Sequence, residues 1–241
     1  MRSLAKSRGS ANDVLVIEVP GGTWASLTRS RLPVQIGPPK SVQHVWSMPI
    51  IPASGADTTT AVAGGYAAQW RAIGKQLQAA GNGATIVSLD MAAASKLAPA
   101  EQIRAWTAAA DALRSTAPEV KLEWEIPADA RSVEEVEALF PGAAKVDVVG
   151  ITLVRSVDVQ WPEQVKELNE WSDWAAANGK RVALRWSLGR ESGAGSEAWV
   201  QNVRDWVART SSAERLSFEA YGQLRSVRAD SEGATAYARR F

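Results

Sequence analysis

Short apolar runs and longer amphipathic stretches alternate along almost the whole chain, and this alternation leaves few architectures open. The apolar runs fall at residues 14–19, 34–36, 45–51, 85–91, 121–126, 146–154, 181–187 and 215–220. Helical patterns at 24–31, 64–80, 99–116, 133–139, 161–177 and 197–210 lie between them. In 64–80, Tyr66, Trp70, Ile73 and Leu77 follow the rhythm of a helix with one buried face, and Gly81 and Gly83 supply the stop. In 99–116, Ile103, Trp106, Ala110 and Leu113 do the same ahead of Pro118. Strands that alternate with helices imply a parallel sheet. Eight such units predict an α/β fold of the (β/α)8 TIM-barrel type. A doubly wound open sheet is the rival, but Pro20-Gly21-Gly22-Thr23 after the first strand lacks the spacing of a phosphate-binding glycine fingerprint. A length of 241 residues suits one barrel. Residues 13–241 are therefore read as one compact domain, preceded by a basic, Ser-rich arm over 1–12.

Composition removes several classes of function. A net charge of +1 gives no electrostatic argument for nucleic acid or an anionic membrane. No apolar run approaches the length of a membrane span, so no membrane insertion is expected. The absence of cysteine excludes disulfides and thiol chemistry. The single histidine, His44, cannot build a histidine-rich metal site, and its place in a strand-like run points to a structural role. No metal and no cofactor are expected. The first residues carry positive charge without an apolar segment before a cleavage site, so they do not form a secretory signal. A mature fragment, a cytoplasmic protein and a virion protein released by lysis all remain open.

Tryptophan is over-used, with 11 against 3 Tyr and 3 Phe. Helical periodicity accounts for Trp70, Trp106, Trp171, Trp174, Trp199 and Trp206. Trp124 and Trp186 lie in or at the ends of strands, where an aromatic ring can serve a binding face. Trp186 would act either as a stacking platform or as a plug, and the plug is favoured.

In parallel α/β proteins the C-terminal ends of strands carry the chemistry. The run at 85–91 ends in Asp90 and Met91 and then meets Ala92, Ala93 and Ala94, which offer no acid, base or ligand. Carboxylates near the expected upper face are Asp90, Glu123, Glu125, Glu191 and Glu219. Strand alternation puts Glu123 and Glu125 on one face and Trp124 on the other. An active site would have to draw on Asp90, Glu123, Glu125 and Glu219. The structural alternative pairs one of Glu123 and Glu125 with an Arg such as Arg185 and leaves the other at the rim. Asp147 is expected to anchor backbone or an Arg at the lower end of its strand, and Glu18 to pair with Glu219.

Four segments in order resemble glycoside hydrolase family 26, the mannanase-type (β/α)8 barrels. They are GGYAAQWRAIGKQLQAAGNGATIVSLDM, AWTAAADALRSTAPEVKLEWEIPAD, FPGAAKVDVVGITLV and WAAANGKRVALRWSLG. The resemblance implies hydrolysis by two carboxylic acids, about 5 to 5.5 Å apart in a retaining enzyme. It places Ala92 at the acid/base Glu and Ala94 at the Asn of family strand four. It places Trp186 at the nucleophilic Glu of strand seven, Glu125 at the Asn of strand five, and Val154 near the Tyr of strand six. On this threading both catalytic carboxylates are replaced. The resemblance then implies a catalytically inactive barrel acting as a structural or adhesive module, in a phage tail or a cell-surface complex, with protein partners. A polysaccharide is the second partner, and Trp124, Trp186, Arg185 and Glu125 are the candidate binding residues. The competing expectation is an active mannan-type hydrolase with displaced carboxylates.

Overall fold

A computed structural model describes residues 14–19, 21–29, 43–54, 56–79, 85–126, 132–154, 160–187, 196–210 and 213–218. Contacts gather these residues into two units, one within Asp13–Gly150 and one within Ile151–Phe241. The expected arm at 1–12 and the expected strand at 34–36 lie outside the described residues, as do Arg190, Glu191 and Glu219.

Seven strands are described: β1 (Val14–Glu18), β2 (Gln43–Pro49), β3 (Ile86–Asp90), β4 (Lys121–Glu125), β5 (Val148–Val154), β6 (Arg181–Ser187) and β7 (Ala213–Phe218). Their order in the sheet is their order in the chain. In the first unit β1 pairs with β2, β2 with β3, β3 with β4 and β4 with β5, all parallel. In the second unit β6 pairs parallel with β7. A doubly wound sheet reverses its strand order at a switch point. No reversal occurs among the described strands, so the sheet is of the (β/α)8-barrel class rather than an open doubly wound one.

Seven α-helices are described between the strands: α1 (Trp24–Arg29), α2 (Thr58–Val62), α3 (Ala67–Ala79), α4 (Pro99–Arg114), α5 (Val133–Leu139), α6 (Trp161–Ala177) and α7 (Ser196–Arg209). The helix expected over 64–80 is a correction. Gly64 has φ of +74°, outside helical space, so the chain turns at 63–66 and α3 begins at Ala67. The short α2 precedes that turn. Asp57 caps it, its carboxylate accepting from the Thr60 amide at 2.8 Å. Tyr66 packs back onto this cap, its hydroxyl accepting from the Asp57 amide at 2.8 Å. The α3 face foreseen from the spacing is the buried one: Trp70, Ile73 and Leu77 are all core residues.

Asp147 ties down the lower end of β5 in the expected way. Its Oδ2 accepts from the Leu122 amide at 2.7 Å and from Arg114 at 2.5 Å, joining α4, β4 and the start of β5. In the second unit, two tryptophans of α7 reach amides on α6. Trp199 Nε1 donates to Gln164 Oε1, and Trp206 Nε1 to Asn169 Oδ1, each at 2.8 Å. A buried indole N–H needs such a partner, and these two bonds also fix how the helices register. Among the described residues no helix is long and apolar enough to cross a membrane.

Candidate functional site

The two faces of β4 differ in kind. Trp124 turns toward α5, with its ring edge on Phe140 at a centroid distance of 5.4 Å. It is 2% exposed, so this candidate binding residue sits in the core. Its neighbours Glu123 and Glu125 point the other way. There the pairing register brings Ser88 of β3 beside Glu123 and Gly150 of β5 beside Glu125. Ser88 Oγ donates to Glu125 Oε1 at 2.9 Å.

Gly150 makes room for both acids. A Cβ built on it would stand 2.9 Å from Glu125 Cγ and 3.0 Å from Glu123 Oε1, tighter than packed atoms tolerate. Glycine is required here by close approach rather than by backbone angle. The two carboxylate-bearing side chains therefore converge over β5. Glu123 is only 1% exposed and Glu125 half-buried, and neither is without a partner. Ser47 of β2 pairs with Ser88 and is also buried, so the interior face of β2, β3 and β4 is lined by two hydroxyls and a carboxylate. Barrel interiors are usually filled by bulky branched side chains. Here small polar residues take those places.

Asp90 ends β3. Extending the β3–β4 register by one residue sets it at the level of Glu125. Its Oδ1 accepts from the Ala92 amide at 2.8 Å, starting a 3-10 turn over Ala92–Ala94. The blank strand end anticipated from three alanines is thus a closed turn, held by the Asp90 carboxylate. Among the described residues no group of three or more acidic or histidine side chains could hold a metal ion.

The remaining candidates belong to the second unit. Arg185 lies in β6, half-buried and not without a partner. Trp186 follows it in the same strand, with its side chain outside the described residues, and Glu219 lies wholly outside them. Of the anticipated acids, the structure brings together Glu123 and Glu125, with Asp90 one strand away. Ser88 and Gly150 were not anticipated. Parity along β3 and β5 was the available signal, but it identifies a shared face only once the register between strands is known.

No protein-family model matches the sequence, and no curated protein matches it significantly. Solved structures do match. A GH26 β-mannanase from Bacteroides ovatus superposes with a TM-score of 0.66 at 14% identity, covering 98% of this chain and 80% of its own. GH26C from Muricauda sp. MAR_2010_75 gives 0.63 at 14% identity, covering 90% and 74%. The cellulose synthase subunit Z of Clostridioides difficile gives 0.62 at 12%, covering 99% and 90%. The likeness is one of fold. The chain has a glycoside-hydrolase-like (β/α)8 architecture, shared with mannanases and with a protein of cellulose synthesis.

Proposed function

We propose that this chain is a catalytically inactive relative of the family 26 barrels, serving as a structural or adhesive module that contacts a polysaccharide within a larger assembly. The observation that carries the reading is the end of β3. Where the resemblance puts the acid/base Glu, the chain carries Ala92, and Asp90, two residues earlier, accepts from the Ala92 amide through one carboxylate oxygen. Proton transfer to a leaving group needs a carboxyl group within hydrogen-bond reach of the glycosidic oxygen. An alanine cannot supply it. On the same threading Trp186 replaces the nucleophile, and covalent capture of the sugar then has no carboxylate to use. A protein-built assembly such as a phage tail or a cell-surface complex is the setting that fits a barrel retained for shape. A virion or cell-surface location follows from that setting.

A second reading has one specific observation in its favour. Glu123 and Glu125 converge over Gly150, with Asp90 at the level of Glu125. Displaced carboxylates of this kind could serve a rewired hydrolase. The deciding experiment incubates the purified protein with mannan, cellulose and mixed β-glucans. It measures both new reducing ends and retention of protein on the insoluble polymers. Retention without reducing ends supports the module. Turnover that disappears in Glu125→Gln would refute it in favour of the hydrolase.

A further inference from the structure

A half-open recess between α6 and α7, remote in sequence from the Glu123–Glu125 site, has a volume of about 510 Å³. Small-molecule sites span about 300 to 1,000 Å³, so a mono- or disaccharide is within its capacity. One wall is a single stripe of α6 that includes Asn169, Ser172 and Asp173. The other is the last turn of α7 and its cap, with Trp206, Arg209 and Thr210.

The polar groups in this recess are held in place yet keep capacity to spare. Asn169 Oδ1 is fixed by the Trp206 indole at 2.8 Å, which leaves the amide N–H groups as donors. Arg209 Nε donates to the Asp205 carbonyl at 3.0 Å, steadying the guanidinium while its outer N–H groups stay available. Thr210 Oγ1 donates to the Trp206 carbonyl at 2.8 Å, and its lone pairs remain. Among the described residues no hydrogen bond or ion pair engages the Asp173 carboxylate.

We propose that this recess binds a neutral saccharide unit. One acid and one guanidinium leave the lining without net formal charge, which suits an uncharged ligand. Asn169 and Arg209 offer donors, and Asp173 and Thr210 offer acceptors. A sugar hydroxyl donates and accepts at once and can use both kinds. Planar guanidinium and carboxylate groups can also take neighbouring hydroxyls in pairs. Val165 and Ala176 add apolar surface for the ring C–H groups. The proposal rests on the polysaccharide-contact reading above and assigns it an address on the helices instead of the sheet interior.

Calorimetric titration with mannotriose and with cellotriose tests it on the wild type, on Asp173→Ala and Arg209→Ala, and on the exposed α3 control Lys75→Ala. Asp173 and Arg209 are both exposed, so their variants keep the fold, which circular dichroism verifies. The expected result is affinity weakened about tenfold or more in Asp173→Ala and Arg209→Ala and unchanged in Lys75→Ala. Full affinity in both helix variants overturns this proposal but leaves the polysaccharide reading standing. Failure of the wild type to bind either probe overturns this proposal, and retention on mannan or cellulose then decides the polysaccharide reading separately.

Discussion

Trp124 and its flanking glutamates are consecutive residues with opposite environments. Trp124 is buried against Phe140 in the helix layer, as a large aromatic in a barrel strand should be. Glu123 and Glu125 face a surface made of Ser88, Ser47 and Gly150, where a barrel usually packs branched aliphatics. The apolar face explains why the chain folds. The polar face is held differently: carboxylates and hydroxyls buried in place of Val or Ile cost stability unless matched, and here Ser88 donates to Glu125 and both acids have partners.

The comparison can be broken from the helix side first. Trp124→Ala should cost about 3 to 5 kcal/mol in urea unfolding, because it removes a large core side chain next to Phe140. A loss below about 1 kcal/mol would show that this face is not the core. Gly150→Ala comes next, at about 1 to 3 kcal/mol, since its methyl group would overlap the Glu125 stem. Its distinguishing feature is coupling. Adding Glu125→Ala should recover part of the loss, and simple additivity of the two would show that the acids do not crowd β5. Ser88→Ala is smaller, about 1 kcal/mol, for one hydrogen bond to Glu125.

The smallest effect supplies a carboxylate away from both faces as a control. The Thr60 hydroxyl and the Thr60 amide hold Asp57 below its ordinary value of 3.8. A group depressed in the folded state contributes stability above its unfolded value and loses it as pH falls through its folded value. Thermal melts of Asp57→Ala should therefore show a deficit at neutral pH that shrinks once the pH drops below 3.8. A deficit that stays constant to pH 2 would show that the charge plays no part in the cap.

Much of the frame was legible because it rests on local periodicity. The residues of α5, α6 and β6 were delimited by pattern alone, and the buried stripe of α3 follows Trp70, Ile73 and Leu77. The break at Gly64 and the separate α2 were missed. The Asp57-Thr58-Thr59-Thr60 capping signal was present, but it was overshadowed by the longer apolar rhythm that follows it. At the candidate site, parity on β4 correctly separated Trp124 from the two glutamates. What no single segment could reveal was their company. Ser88 and Gly150 meet the acids through pairing between distant strands, and register is a tertiary property. The saccharide recess lay further from view, since Asp173 and Arg209 look like ordinary solvated helix charges until two helices are packed side by side.

In the first unit each strand pairs with the strand synthesised just before it. A chain leaving the ribosome would find the edge it needs already in place at every step, and no strand would have to wait for a distant partner. Each unpaired edge is then exposed only for the time taken to make the next crossover, which keeps the interval open to edge-to-edge aggregation short. A barrel sheet wound in chain order is, in this sense, assembled by the direction of its own synthesis.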